Sequence, residues 1–171
     1  MITLAIASAV FLLAGLVKGV IGLGLPTIAV GLLSLAMAPA QAAALMLVPS
    51  LITNVWQIAA GANLWPLARR LATLLAGIVI GTLAGSGILT GANSGQASMA
   101  LGIVLVIYAS FGLSPLRPRV PAGAEPWLSP VVGLATGVIS AGTGIFVIPS
   151  VPYLQAIGLE KDDLVQALGI T

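Results

Sequence analysis

Apolar residues run along this chain in long stretches, and its few charges punctuate them at wide intervals. No charge follows Lys18 until Arg69, none follows Arg70 until Arg117, and none follows Glu125 until Glu160. A bilayer core about 30 Å thick takes roughly 20 apolar residues per helix, so each uncharged window holds one or two spans. The pattern predicts spans at 2–34, 41–60, 67–91, 95–113 and 128–157, with a sixth starting near Asp163 and cut off at Thr171. The fold class is therefore an all-α polytopic membrane protein.

Composition sharpens that reading. Of 171 residues, 59% are apolar and 6% charged, against about 25% charged in a soluble domain. Six Lys/Arg and four Asp/Glu leave a net charge of +2, with no basic stripe to neutralise phosphates, so nucleic acid is not a partner. Cys and His are both absent, which removes disulfides, haem ligation, the usual zinc sites and His-based catalysis. No Walker A pattern, Rossmann fingerprint or intramembrane carboxylate pair stands out. The expectation is no enzyme, no cofactor and no metal, with the lipid bilayer as the first partner.

The first segment is too long for one straight span and lacks the basic start of a signal peptide. Its middle reads Lys18-Gly19-Val20-Ile21-Gly22-Leu23-Gly24-Leu25-Pro26. Glycine propensity and the donor missing at proline interrupt a helix there, giving either one broken span or a hairpin of two shorter pieces. Between the fourth and fifth spans, Pro115, Pro118, Pro121 and Pro126 make a stiff linker. The expected organisation is a first transmembrane repeat at 1–113, a cytoplasmic Pro-rich linker at 114–127, and the start of a second repeat at 128–171. The repeat rests on an offset of 118, which places Gly15, Leu16, Gly19, Val20, Ile21 and Gly24 on identical residues at 133, 134, 137, 138, 139 and 142. Glycine-broken segments at matching points of two halves are a pointer to a transporter's binding site.

A half-helix start inside a membrane offers unpaired N–H groups and partial positive charge to an anion. Pro26 fits the first position of such a half-helix, aiming the amides of Thr27 and Ile28 at the break. Thr143 reads as an N-cap for a half-helix from Gly144. Ser140 and Thr143 add hydroxyls, and Gly22, Gly24 and Gly142 admit a ligand close to the backbone. The competing reading is that these glycines serve helix packing. Lys18 is the one ionisable group inside an apolar stretch: it either counters the substrate's charge or snorkels to an interface. Asn54 and Gln57 share a helical face and either line the path or bond neighbouring helices. Trp56, Trp65 and Trp127 read as interfacial anchors, and Glu160 to Asp163 as a solvated helix start.

The sequence resembles the sulfite exporter TauE/SafE family of membrane permeases. The resemblance lies in Gly15 to Pro26, in Pro49-Ser50 with Asn54-Val55-Trp56-Gln57, in Gly137 to Pro149, and in Tyr153 to Leu159. Gly31 departs from the family pattern, which has proline there, as Pro149 does in the second half. Members continue for several more spans, so the resemblance implies a C-terminally truncated member whose second half is incomplete. It implies a secondary transporter exporting a small anion, such as sulfite or an organosulfonate, by alternating access around a midplane site. A coupling ion (H⁺ or Na⁺) and a homo-oligomer are compatible with it. An anion channel and a non-transporting membrane subunit are the alternatives. Arg69-Arg70 and Arg117/Arg119 lie two spans apart on one side, which the positive-inside rule makes cytoplasmic in a multi-pass inner (plasma) membrane protein. Whether the halves are parallel or inverted depends on the first segment, and the lack of Lys or Arg before residue 18 favours the hairpin and inverted halves.

Overall fold

The computed structural model describes residues 2–22, 24–86, 94–114, 119–121, 123–143, 145 and 148–171. Gly144 and linker residues 115–118 and 122 lie outside the described residues. Within them the chain is all helical: α1 (Ile2–Ile21), α2 (Leu25–Leu33), α3 (Pro39–Ala60), α4 (Leu64–Arg70), α5 (Ala72–Ala84), α6 (Ser94–Leu113), α7 (Glu125–Thr143), α8 (Ser150–Ala156) and α9 (Lys161–Ile170). One described helix, α3, is by itself long and apolar enough to cross a membrane, and α4 with α5 passes the same measure as a pair bent by 63°. α3 is clothed in exposed apolar side chains, among them Leu47, Leu51, Val55 and Trp56, and buries only Pro39, Ala42, Met46 and Gln57. That is the surface of a helix whose surroundings are hydrocarbon.

The expected break in the first segment falls at Gly22 and Gly24, which take φ of 83° and 103°. These left-handed conformations cost a residue with a Cβ about 1–2 kcal/mol, and they turn the chain so that α2 packs on α1. Val10 and Ala14 of α1 share one buried cluster with Leu25, Ala29, Val30 and Leu33 of α2. The segment is thus a hairpin with unequal arms. At 1.5 Å per residue α1 is about 30 Å long and α2 about 14 Å, half the depth of the hydrocarbon. Gly24 is the N-cap of α2, which puts Leu25 first and Pro26 second, one position later than the sequence suggests.

In the second half the expected break at Ser140 to Gly142 is not where the helix ends. α7 runs on through these residues to Thr143, and the next helix begins only at Ser150. Thr143 is therefore the last residue of α7, not an N-cap, and Pro149 occupies the N-cap position of α8.

Glycine also sets the closest helix contact. α5 and α7 meet through Gly77, Gly81 and Gly85 on one side and Gly133 and Gly137 on the other. A Cβ on Gly81 would strike the Leu134 carbonyl, and one on Gly137 the Ile78 carbonyl. Small residues four apart let two backbones touch where no hydrophobic effect drives helices together. Gly15 and Gly19 of α1, by contrast, have nothing within 4 Å of a built Cβ.

Two polar devices tie the helix ends. The buried Gln166 of α9 donates from Nε2 to the Ile58 carbonyl (2.8 Å) and accepts from the Asn63 N–H (3.0 Å), satisfying backbone groups freed at the C-terminus of α3. Arg70 donates to both Glu125 oxygens (2.8 and 2.9 Å) and to the Ile157 carbonyl (3.1 Å), joining α4, α7 and the turn after α8.

Gly24 and Gly19 lead to opposite expectations. Gly24→Val should cost about 1–2 kcal/mol or more through the left-handed backbone, since a Cβ there also meets Val17 Cγ1 at 3.4 Å. Gly19→Ala, in the last turn of α1 with open space around it, should be neutral or gain up to about 1 kcal/mol. Midpoints of thermal unfolding in detergent check both signs.

Candidate functional site

The polar residues of the first half converge at the turn between α1 and α2. Lys18 lies in the last turn of α1, and the Gly22 N–H still bonds its carbonyl (2.7 Å), so the helix is intact up to the turn. Its ammonium is buried, the residue being 8% exposed. Nζ donates to Thr53 Oγ1 at 2.8 Å and to Asn54 Oδ1 at 2.6 Å, both on α3. The Thr53 hydroxyl points its own proton back at the Pro49 and Ser50 carbonyls (3.0 Å each), leaving its lone pairs to the ammonium. One turn further along α3, Gln57 donates from Nε2 to the Gly22 carbonyl at 2.6 Å. Lys18 with Asn54, and Gly22 with Gln57, thus form two rungs between the hairpin and α3.

Every partner of this ammonium is neutral. Among the described residues Lys18 is the one buried charged side chain, and the ion pair present, Arg70–Glu125, lies elsewhere. A lysine carries three donors, and Thr53 and Asn54 take two. A buried cation held only by neutral oxygens keeps most of its desolvation cost and attracts an anion strongly.

Two further features act in the same direction. Gly24 is buried and caps α2 without any side-chain capping bond. The Ile28 N–H is taken by the Gly24 carbonyl (2.9 Å), which corrects its expected role. The amides ahead of it, at Leu25 and Thr27, are those with no carbonyl four residues back inside the helix. Thr27 Oγ1 and Gln57 Oε1 are buried and have no hydrogen-bond partner, a costly state that marks a place where a partner is missing.

The second-half candidates behave differently. Ser140 Oγ is shared between the carbonyls of Thr136 (2.7 Å) and Ile145 (3.0 Å), and Thr143 Oγ1 donates to Ile139 (2.7 Å) while accepting from the Ile145 N–H (3.3 Å). These hydroxyls are consumed by their own backbone, as serine and threonine commonly are in helices. Gly142 is half-buried in the last turn of α7. No hydrogen bond among the described residues links Ser140, Gly142 or Thr143 to Lys18 or Gln57. The two breaks meet instead through apolar contact, since Ile145, Ile148 and Val151 join the cluster of Leu25 and Val30.

Thr53, which completes the ammonium's cradle, is passed over by the sequence reading. Its signal is faint: a hydroxyl four residues after an intrahelical proline and next to Asn54. A separate pocket of about 320 Å³ is lined by Arg70, Thr73, Glu125, Pro126 and Ser129. Its cation is already neutralised by Glu125, so it lacks the unbalanced charge of the Lys18 cluster.

The chain matches the family described as sulfite exporter TauE/SafE over residues 7–170. No curated protein and no solved structure matches it. The match takes in the glycine hairpin, the α3 face carrying Thr53, Asn54 and Gln57, and the segment from α7 to α9. A helical chain with exposed apolar helix faces agrees with that match, and the chain belongs to the sulfite exporter TauE/SafE family of membrane transport proteins.

Proposed function

We propose that this chain is part of a secondary transporter that exports a small oxyanion of the sulfite or organosulfonate class. The substrate would bind where α1 turns into α2. The observation that carries the reading is the Lys18 ammonium, buried and held only by Thr53 and Asn54. An anion there would take the third ammonium proton, together with the free amides at the start of α2, in charge-assisted hydrogen bonds. The positive-φ glycines 22 and 24 would be the hinge about which the short arm exposes that point to each side in turn. The second break would contribute packing through Ile145 and Ile148 more than it contributes donors. The internal duplication and a cytoplasmic side at Arg69, Arg70, Arg117 and Arg119 belong to the same proposal.

Thermal unfolding of the purified protein against sulfite, sulfate, thiosulfate and alkylsulfonates, with chloride as the control, tests it. A specific anion at 100 times its Kd should add about 2.7 kcal/mol of stability. Midpoints that rise no more with these anions than with chloride would defeat the proposal.

A further inference from the structure

We infer that the Lys18 site selects an oxyanion that still carries a proton, so that hydrogen sulfite is taken in preference to a donor-free sulfonate of the same charge. This rests on the reading of that site as the anion site. Gln57 is 8% exposed, and its Oε1 is buried without a partner. The orientation of its amide is fixed by chemistry: the group facing it at 2.6 Å is the Gly22 carbonyl, which only accepts, so the NH₂ must point there. Oε1 is therefore a committed acceptor pointing away from that bond. Lys18 Nζ and the α2 amides supply donors only, and a fully deprotonated oxyanion would satisfy them. It would also set its oxygens against Gln57 Oε1, acceptor against acceptor. A singly charged anion bearing one hydrogen removes the conflict, because its negative oxygens face Lys18 and the amides while its proton goes to Gln57. Thr27 Oγ1, also unpartnered, donates or accepts equally well and does not discriminate.

The probe pair is hydrogen sulfite and methanesulfonate, which share charge and oxygen count; the first offers an O–H donor, and the second carries a methyl on sulfur and has no donor. Both are titrated against the full chain in detergent at one pH on the acidic side of neutrality, reading the concentration that gives half the thermal shift. The chain has no cysteine, so sulfite has no disulfide to attack. Hydrogen sulfite should bind about ten-fold or more tightly, the gain from pairing one buried acceptor, and Gln57→Leu should bring the two anions level by weakening sulfite. Equal binding of the two to the wild-type protein, with both lost in Lys18→Met, would overturn the selectivity while leaving the anion site in place. Binding of both that survives Lys18→Met would remove the site reading and this inference together. If Gln57→Leu does not fold, the wild-type comparison alone decides.

Discussion

Replacing Lys18 with methionine should abolish anion-dependent stabilisation and lower anion flux in proteoliposomes by at least about 100-fold, while the anion-free protein becomes no less stable. The two halves of that expectation have one cause. The ammonium is buried and its partners, Thr53 and Asn54, are neutral, so no carboxylate is stranded when the charge goes. Removing one partner of a true buried ion pair costs about 3–5 kcal/mol because the other charge is left alone. Here what is lost is two hydrogen bonds to neutral groups, one of which, Thr53, also bonds the Pro49 and Ser50 carbonyls. What is gained is relief from desolvating a cation, and methionine fills the stem's volume with a flexible apolar chain. An anion bound at the site would lose its charged partner, worth about 2–5 kcal/mol in comparable buried contacts, and 2.7 kcal/mol is a factor of about 100. Lys18→Arg should not rescue, because a planar fork of five donors does not match two oxygens converging on one point. A Lys18→Met protein that unfolds sharply and transports normally once stabilised would show that the lysine is a strut between α1 and α3.

The two halves of the molecule were not equally legible, and the reason is the backbone. At the first break, glycine stands at both positions that adopt positive φ, 22 and 24, so the turn is written in the residue types. The offset of 118 puts Ser140 where Gly22 stands, and a residue with a Cβ resists that conformation. None of the described non-glycine residues takes a positive φ. Ser140 and Thr143 instead bond carbonyls one turn back, and α7 persists to Thr143. Matching glycines therefore did not translate into matching breaks. Side-chain partners were harder still: that Lys18 reaches Thr53 and Asn54 across 35 and 36 residues of chain is a consequence of how α3 sits beside the hairpin, which no local pattern encodes. Lys18, Asn54 and Gln57 were nonetheless identifiable as candidates, because a charge or an amide within an apolar stretch is expensive enough to need a reason.

Gly81→Leu should prevent accumulation of folded protein, while Gly15→Leu should leave it unchanged, although both glycines stand among apolar residues of membrane helices. The run Gly77, Gly81, Gly85 has the four-residue spacing of a close helix contact, and its counterpart Gly133, Gly137 has the same spacing. At Gly81 the first atom of any side chain collides with the Leu134 carbonyl, which belongs to backbone and cannot rotate aside. Separating α5 from α7 enough to admit leucine would also lift Gly77 off Pro130 and Gly85 off Ala141. Overpacking costs typically 1–3 kcal/mol where side chains can shift; against rigid backbone the penalty should exceed about 3 kcal/mol, a large share of a protein's net stability. Gly15 is the position that the offset of 118 aligns with Gly133, yet a Cβ on it meets nothing within 4 Å. Leucine there replaces a poor helix former with a good one, on a stretch of α1 where Leu12 and Leu16 are already exposed. Size-exclusion profiles and unfolding midpoints of the two variants, expressed in parallel, separate the cases. Wild-type yield and midpoint for Gly81→Leu would mean that α5 and α7 do not meet backbone to backbone, and the shared glycine spacing would then need another cause.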